Sequence, residues 1–438
     1  MTLHSESFNK ADAATLGPDL TWTEVLGTVW GVTGNAATVQ AAGSADGHAR
    51  AEHDVASVAH YVECPISAIS GGSGANFSVG GPMMRYSAAA DTCYGFQVVK
   101  DTTGQISLTK WVAGSESAVG SNVVYDPQVN DVIRGAVRTN PDGSVMLVGY
   151  VNGVPKVQGV DASSPLTTGT RGGMRGIRVG TSTLAFDSWK IEDLDATTYT
   201  GPTFVAAGAV SKGALTTAIT PALPAGIATD DILLLHLCSA DGAADITIAN
   251  SAGGTWAQVP DSPQRATGSN RLQVYWSRYN GTQTAPTTSV PQNHVVGVIT
   301  AYRGCLATGD PWDVTAGGVD NATAVPMVIP GDTTTVNQCR VVITIVTNEN
   351  SNNPGSVATD YGIIELANFS EHADDSSSVS LGGGLAVASG EKAVAGAFPV
   401  TLANCAAGAQ VKSFHVIALK PAEVSADPSD AMLLLGVA

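Results

Sequence analysis

Residues 132–154 read VIRGAVRTNPDGSVMLVGYVNGV, and they decide how the first part of this chain folds. Two apolar runs, residues 132–138 and 144–151, are joined by the turn sequence Asn140-Pro141-Asp142-Gly143. A second turn, Asn152-Gly153, follows, and Asn-Gly supplies the two positive-φ residues that a two-residue hairpin needs. The stretch therefore predicts three consecutive antiparallel strands.

Two aromatic segments lie on either side of this ribbon. Residues 6–12 read ESFNKAD, and residues 185–194 read AFDSWKIEDL. In the second segment Trp189 and Ile191 alternate with charged residues, which is typical of a strand with one buried face. Phe186 is out of phase with this alternation and predicts a local β-bulge.

The order of these turns and aromatic segments resembles the laminin-G-like domains, which are concanavalin-type jelly rolls. The resemblance covers residues 5–196 and includes a Gly-rich return at residues 168–180, TGTRGGMRGIRVG. It implies a jelly roll whose closing strand lies beside its opening strand. It also implies a rim that binds sugars or calcium in some members of the family.

The sequence changes character after a polar linker at residues 197–203. Short apolar runs then lie between clusters of Gly, Pro, Asn and Ser, which favours a second all-β domain over residues 204–421. We therefore predict an all-β chain of two consecutive antiparallel β-sandwich domains, residues 1–196 and 204–421, with a short C-terminal tail at residues 422–438. The Ser-rich stretch 370–380 is predicted to be a solvated loop.

The second domain contains a weak internal repeat. The apolar run 232–237 and the segment after it parallel the run 341–346 and the segment after that one. The run 294–299 likewise parallels residues 413–419.

Part of this domain also resembles a sandwich domain of bacteriophage minor tail proteins and other virion proteins. The matching residues are Asp230-Asp231 before an apolar strand, Trp256, Tyr275-Trp276 and residues 297–304, GVITAYRG. The resemblance implies a structural role in a virion.

Composition excludes several classes of partner. The chain has 438 residues, a formal net charge of −17 and only 13% charged residues. No stripe of Lys and Arg is present to replace the counterions of nucleic acid, and the negative charge disfavours anionic membranes. No stretch reaches the ~18 apolar residues that a membrane span needs. No signal peptide is visible at the N-terminus, so we expect synthesis in a host cytoplasm and no membrane insertion.

Six cysteines are scattered without a CxxC pair, which excludes a zinc ribbon or a thioredoxin motif. We expect them to be buried and reduced. The alternatives are bridges between Cys64 and Cys93, or between Cys305 and Cys405. The six positions are Cys64, Cys93, Cys238, Cys305, Cys339 and Cys405.

Aromatic residues of the first domain are the candidates for stacking on sugar rings. Aromatic residues of a sandwich more often fill its core, so both interpretations stay open. The candidates are Tyr61, Tyr86, Tyr94, Trp111 and Tyr125.

No metal or cofactor is predicted. A calcium site needs about six to eight converging oxygen atoms, and no carboxylate cluster provides them. We therefore expect the candidate rim carboxylates to be isolated and solvated; these are Asp46, Asp91, Asp126 and Asp131. Three histidines, His236, His294 and His415, lie in or beside apolar strands and are expected to be partly buried and hydrogen bonded.

No catalytic residue is predicted, because the chain has no GxSxG elbow, HExxH helix, Walker loop or Rossmann glycine fingerprint. The enzymatic alternative is a glycosidase with paired carboxylates, since jelly rolls host such enzymes. Glu63, which follows Tyr61, is the nearest candidate, and Glu52 is its proposed partner. We predict that the protein is not an enzyme.

The end of the chain, residues 431–438, reads AMLLLGVA and follows an acidic stretch. An apolar end is costly to leave in water, so we expect it to dock onto the second domain or onto a neighbouring subunit. The predicted assembly residues are Met432, Leu433, Leu434, Leu435 and Val437.

These observations together favour a bacteriophage virion protein, a minor tail or tail-fibre component that displays a lectin-like module for attachment to the host. The alternatives are a capsid decoration or head-fibre protein, a carbohydrate-binding protein of a bacterial surface, and a glycan-cleaving enzyme. The expected partners are other virion proteins, further copies of the chain (a trimer is favoured) and a host-surface glycan. The expected location is the virion.

Overall fold

The computed structural model describes residues 3–422 except 18, 28–29, 41–42, 73–75, 141, 195–197, 215–216, 241–244, 267–269, 290–293, 322–326, 348–365, 377–382, 399–400 and 404–410. The chain divides into two compact units, one built mainly on residues 1–198 and the other mainly on the residues from Tyr199 onward. All regular elements among the described residues are β-strands, so the all-β prediction is confirmed. No helix among them is long and apolar enough to span a membrane.

The described residues of the first unit form seventeen strands. They are β1 Leu3–Glu6, β2 Trp22–Leu26, β3 Trp30–Thr33, β4 Ala36–Val39, β5 Gly43–Ala51, β6 His60–Ser70, β7 Ser78–Tyr86, β8 Cys93–Lys100, β9 Gln105–Val112, β10 Ser115–Ala118, β11 Val123–Val124, β12 Val132–Thr139, β13 Val145–Val151, β14 Val154–Asp161, β15 Arg171–Arg178, β16 Thr183–Phe186 and β17 Trp189–Asp193.

Two antiparallel sheets make up this unit. Sheet 1 has the order β14-β13-β12-β6-β16-β4-β3, with β17 on β6 and β1 on β17. Sheet 2 has the order β10-β9-β8-β7-β15-β5-β2, with β11 on β9. Because successive side chains of a strand point to opposite faces, one face of each sheet fills a shared core. Trp30 and Trp189 of sheet 1 and Phe96 and Met174 of sheet 2 belong to this core. The unit is a jelly-roll sandwich of two antiparallel sheets.

The first and last strands of the unit pair with each other, as the resemblance implies. Leu3 lies opposite Glu192, and Glu6 lies opposite Trp189. The alternation in β17 is confirmed, because Trp189 and Ile191 are buried, whereas Lys190 and Glu192 are half-buried. The predicted bulge is confirmed by a register shift between Ala185 and Phe186.

The ribbon at residues 132–161 has the predicted form. Strands β12, β13 and β14 pair consecutively and antiparallel. Asn152 and Gly153 have φ values of 53° and 76°, which is the left-handed pair that a tight hairpin requires.

The described residues from Tyr199 onward form eighteen strands. They are β18 Thr203–Ala207, β19 Ser211–Gly213, β20 Ile232–Ala240, β21 Ile248–Asn250, β22 Ala257–Gln258, β23 Gln264–Ala266, β24 Asn270–Arg278, β25 Thr287–Thr288, β26 Val295–Arg303, β27 Trp312–Asp320, β28 Met327–Ile329, β29 Asp332–Thr334, β30 Cys339–Thr347, β31 Ala367–Ser376, β32 Gly384–Lys392, β33 Gly396–Phe398, β34 Thr401–Ala403 and β35 Lys412–Leu419.

The second unit is a sandwich whose two main sheets have matching strand orders. Sheet 3 is β18-β26-β20-β24-β22, with β19 on β26 and β23 on β24, and sheet 4 is β27-β35-β30-β32-β31. Leu234 and Val298 of sheet 3 share one core with Val342 and Ile417 of sheet 4. The two apolar runs of the internal repeat are the central strands β20 and β30, so the repeat corresponds to one sheet each.

Several sequence predictions fall on the second unit or on the cysteines. The loop predicted over residues 370–380 is wrong for its described part, because residues up to Ser376 continue strand β31 and Asp375 accepts a hydrogen bond from Lys212. The three predicted histidines are buried, and both ring nitrogens of His236 are hydrogen bonded. Residues 423–438, which include the predicted assembly residues, lie outside the described residues.

Five cysteines are buried free thiols in the part of the chain that the structure describes: Cys64, Cys93, Cys238, Cys305 and Cys339. Cys64 belongs to the core between sheets 1 and 2, whereas Cys93 belongs to an apolar cluster on the other face of sheet 2. A bridge between these two is therefore not formed. Cys405 lies outside the described residues.

Candidate functional site

The outer face of sheet 2, opposite the core of the jelly roll, carries a cleft of about 660 Å³. Strands β8 and β9 supply five of its fourteen lining residues, because the residues of each strand alternate between the core and this face. Phe96 and Leu108 point into the core, while Gln97, Ser107 and Thr109 line the cleft. The full lining is Phe77, Val79, Gln97, Val99, Asp101, Thr102, Gln105, Ser107, Thr109, Glu116, Ser117, Ala118, Asn122 and Arg175.

Arg175 of β15 anchors one side of the cleft. Its side chain is 5% exposed, and its guanidinium lies over the ring of Trp111 at 4.6 Å. Nε and Nη2 donate to the two oxygens of Asp46 at 3.0 and 2.7 Å, and Nη1 donates to Glu116 at 3.2 Å. A planar guanidinium held by two carboxylates and an aromatic ring has little freedom to move. This side of the cleft is therefore rigid.

A histidine and a second aspartate extend this network away from the cleft. Nδ1 of His48 lies 2.9 Å from Asp91, and Nε2 lies 3.5 Å from Asp46. Burial by itself lowers the pKa of His48, but hydrogen bonds and charge from the two aspartates outweigh it and raise the pKa above its ordinary value. The pKa of Asp91 is lowered, because His48 and the hydroxyl of Tyr86 outweigh the effect of its burial.

Strand β5 shows why the sequence forms this network. Asp46, His48 and Arg50 are alternate residues of the strand, so they lie on the same face of sheet 2. Strand β15 runs beside β5, with Arg175 opposite His48. The Gly-rich sequence of β15 permits this packing, since a Cβ at Gly173 would lie 2.9 Å from the ring of Tyr86.

The five predicted aromatic residues are not brought together at one site. Tyr86, Tyr94 and Trp111 are 0%, 0% and 4% exposed, which argues against stacking on a sugar at these positions. Tyr94 donates to Asp161 inside the unit, and Trp111 donates to Thr109. For the half-buried Tyr61 and Tyr125 sugar stacking stays a prediction. The Tyr61 ring lies beside Arg134, and Tyr125 donates to Asp131.

The predicted rim carboxylates are not isolated, so that expectation is corrected. Asp46 and Asp91 meet around His48 because β5 and the loop before β8 converge there. Asp126 pairs with Lys100, and Asp131 accepts hydrogen bonds from Tyr125, Gln128 and Asn152. Among the described residues no group of three or more His, Cys, Asp or Glu side chains is arranged to hold a metal ion.

The carboxylates of the enzymatic alternative belong to different sheets. Glu63 on β6 of sheet 1 pairs with Arg134 and Lys190. Glu52 follows β5 of sheet 2 and pairs with Arg50 and Arg171. Neither of them lines the cleft.

Sequence reasoning missed the residues that form the cleft floor, Gln97, Thr109 and Glu116. They are ordinary polar residues spread over three strands, and only the pairing of β8, β9 and β10 brings them together. Asp46, His48 and Arg50 did carry a signal, because charged residues at every second position of a strand indicate one polar face.

No family model and no curated protein matches the chain. The solved structures with similarity include the carbohydrate-binding module CBM66 from Bacillus subtilis, at 18% identity over 38% of this chain and 93% of that one, with a TM-score of 0.29. A Bacillus licheniformis β-glucanase is 11% identical over 44% of this chain and 98% of that one, with a TM-score of 0.29. A legume lectin-like domain from Entamoeba histolytica is 9% identical over 39% of this chain and 89% of that one, with a TM-score of 0.27. At TM-scores of this size, the jelly-roll assignment rests on the order and register of the strands themselves.

Proposed function

We propose that the first unit binds a carbohydrate chain in the cleft on sheet 2. The observation that carries the proposal is the lining, where neutral hydrogen-bonding side chains from β8, β9 and β10 stand beside a guanidinium fixed by Asp46, Glu116 and Trp111. Binding sites for polar small molecules combine a concave surface with a few well-placed polar groups. Groups that are already held in place lose little entropy when a ligand arrives.

Other ligand classes fit this lining less well. Nucleic acid needs several cations along its path, and among the described lining residues Arg175 is the only one. A lipid or an apolar peptide would remove water from the polar side chains, ten of the fourteen that line the cleft, without offering them hydrogen bonds. A sugar offers many hydroxyl groups and a modest apolar face, which matches this mixture.

A blocked cleft tests the proposal. Ser117 and Ser115 are both exposed residues of β10, but only Ser117 lines the cleft. Ser117→Trp is expected to weaken binding to a retained polysaccharide by about tenfold or more, because the indole occupies part of the cleft. Ser115→Trp is the matched control and is expected to bind like the unmodified protein. The measurement is affinity electrophoresis in gels that contain host cell-surface polysaccharide. If the polysaccharide retards Ser117→Trp and Ser115→Trp equally, the glycan binds outside this cleft.

We further propose that the module acts by binding and does not cleave the glycan. A general acid must hold a proton near neutral pH, which requires a raised pKa. Hydrogen bonds from the backbone N–H groups of Gly104 and Thr103 lower the pKa of Asp101, which lines the cleft, so Asp101 is ionised. Release of reducing ends from a bound polysaccharide by the unmodified protein, and its loss in Glu116→Gln, would contradict this.

The setting that we propose is a bacteriophage virion, with the jelly roll displayed for attachment to the host. The support is the sequence resemblance of the second unit to a sandwich domain of virion proteins. Two of the matching residues, Asp231 and Arg303, form an ion pair at 2.8 Å. Antibodies against the first unit, viewed on native particles by electron microscopy, test the location. Labelling of a bacterial surface and not of particles would favour the bacterial alternative.

A further inference from the structure

We infer that the cleft selects neutral glycans and that Gln97 and Thr109 recognise two adjacent hydroxyl groups of one sugar. The inference rests on the proposed function and specifies its ligand class. It comes from the hydrogen-bonding capacity that the cleft floor leaves unused, together with the charge of the lining.

The orientation of the Gln97 amide is fixed by its neighbours. Nε2 lies 2.7 Å from the carboxylate of Glu116 and 2.7 Å from the hydroxyl oxygen of Thr109. A carboxylate only accepts hydrogen bonds, so the amide NH₂ must face Glu116 and both of its protons are used. The amide oxygen of Gln97 then has no partner among the described residues and can accept one hydrogen bond.

The Thr109 hydroxyl complements this acceptor. Its oxygen accepts hydrogen bonds from Gln97 Nε2 at 2.7 Å and from Trp111 Nε1 at 3.2 Å. A hydroxyl has two acceptor positions and one proton, so the proton of Thr109 remains to be donated. No described residue accepts it.

An acceptor and a donor therefore lie side by side on the floor of the cleft. Two neighbouring hydroxyl groups of a sugar ring satisfy both, one by donating to Gln97 and the other by accepting from Thr109. Both side chains are almost buried, at 3% and 4% exposed, so their positions are defined before the sugar arrives. A ligand without adjacent hydroxyls leaves at least one of these groups unpaired.

The charge of the lining excludes acidic glycans. Asp101 and Glu116 line the cleft together with Arg175, the one cation among its described lining residues, which already binds Asp46 and Glu116. Backbone N–H groups of Gly104 and Thr103 bind Asp101 and lower its pKa, so it carries its charge. The carboxylate of a uronic acid or sialic acid would be repelled by Asp101 and Glu116. Arg175 would not compensate, because it is already paired with carboxylates of the protein.

Two comparisons of glycan binding test the inference. The first pair is neutral against acidic: dextran and galactomannan against alginate and hyaluronan, compared by affinity electrophoresis at low salt. We expect retardation by at least one neutral chain and none by the acidic chains. The second pair is the retained neutral chain before and after periodate oxidation and borohydride reduction, which destroys adjacent hydroxyls. We expect a loss of about tenfold, as for one good hydrogen-bonded contact.

Three variants link these effects to residues. Thr109→Val is expected to weaken binding of the intact glycan by about tenfold. It is expected to bind the oxidised glycan as well as the unmodified protein does, because the variant and the oxidation each remove the same hydrogen bond, the one between Thr109 and a sugar hydroxyl. Glu116→Gln is expected to increase retardation by alginate, since it removes one negative charge from the lining and the carboxylate partner of Arg175 Nη1. Asp187→Asn, an exposed position outside the cleft, is the control for the change in net charge.

The outcomes separate this inference from the proposed function. Stronger binding of an acidic chain, or equal loss on oxidation in Thr109→Val and the unmodified protein, would overturn the inference and leave a glycan-binding cleft. Binding of no chain at all would contradict the proposed function, and the inference with it.

Discussion

His236 shows how a single polar residue is accommodated in an apolar core. It lies on β20 inside the second unit, and its ring nitrogens are 2.9 Å from the Thr300 hydroxyl and 2.8 Å from the Thr344 hydroxyl. Thr300 belongs to sheet 3 and Thr344 to sheet 4, so one ring joins the two sheets. Burial lowers the pKa of His236 to about 3, which keeps the ring neutral.

Buried neutral histidines predict a loss of stability in mild acid. Burial also lowers the pKa of His60 to about 4 and that of His372 to about 3, from an ordinary value of 6.5. The unfolded chain takes up protons below pH 6.5 that the folded chain does not, so stability is fully present above pH 6.5 and decreases as the pH falls toward 4 and 3. Each such group contributes a slope of up to about 1.4 kcal/mol per pH unit. His48 opposes this trend, because its pKa is raised.

The measurement is urea denaturation of the whole chain at several pH values between 7 and 4.5. His236→Gln is expected to reduce the pH dependence by about one group, whatever its effect on stability at pH 7. The same change at the half-buried His53 controls for the loss of a histidine. A free energy of unfolding that is unchanged from pH 7 to 4.5 in the unmodified protein would contradict the prediction.

Glycines act in two different ways at the level of single elements. Gly153 has a φ of 76°, and a Cβ added there would have no atom within 4 Å, so this glycine serves the turn between β13 and β14. Gly172 of β15 has ordinary φ, but its Cβ would lie 2.8 Å from the ring of Trp189 and 2.8 Å from Val62. The first glycine is required by backbone conformation and the second by packing between the sheets.

This difference gives a paired prediction. Gly153→Ala is expected to cost about 1–2 kcal/mol, the penalty of a left-handed residue with a Cβ. Gly172→Ala is expected to cost about 1–3 kcal/mol by overpacking the core. Thermal unfolding measures both, and Trp189→Phe in the Gly172→Ala background is the discriminating control. Stability recovered there, but not in the Gly153→Ala background, supports the two causes; recovery in neither contradicts the packing explanation.

The elements that sequence could predict are those whose signal is local. Asp142-Gly143 and Asn152-Gly153 mark the ends of β13, and the alternation around Trp189 marks β17. The cleft could not be predicted in the same way, because Gln97 and Glu116 acquire their roles only through strand pairing. Strand β31 was also missed, since Ser and Asp are poor strand formers and its pairing with β32 overrides that propensity.

The internal repeat of the second unit is clear only when the strand orders of its two main sheets are compared. In each sheet the first main strand pairs with the last, as β18 with β26 and β27 with β35. In sheet 3 the central strand β20 lies between β26 and β24. In sheet 4 the central strand β30 lies between β35 and β32. In sequence the repeat was weak, because the core tolerates many apolar combinations of similar volume.

Assembly is predicted to depend on the apolar end of the chain. Deletion of residues 431–438 is expected to lower the oligomeric state, because this segment would no longer be available to a neighbouring copy. Sedimentation velocity of the deleted and full chains gives the measurement. Replacement of Leu433, Leu434 and Leu435 by serine keeps the length of the chain and serves as the second variant. Unchanged assembly together with unchanged stability in both variants would refute the docking prediction.

The pairing of β1 with β17 has a mechanical consequence for the jelly roll. Leu3 lies opposite Glu192, so the start of the first strand and the end of the last strand are at the same end of the pair. A load applied between these two ends would pull the strands apart one residue pair at a time and would not shear all the pairs together. The unit would therefore yield at low force through its terminal strand, while the hydrogen bonds of β8, β9 and β10 that hold the cleft would bear none of the first load.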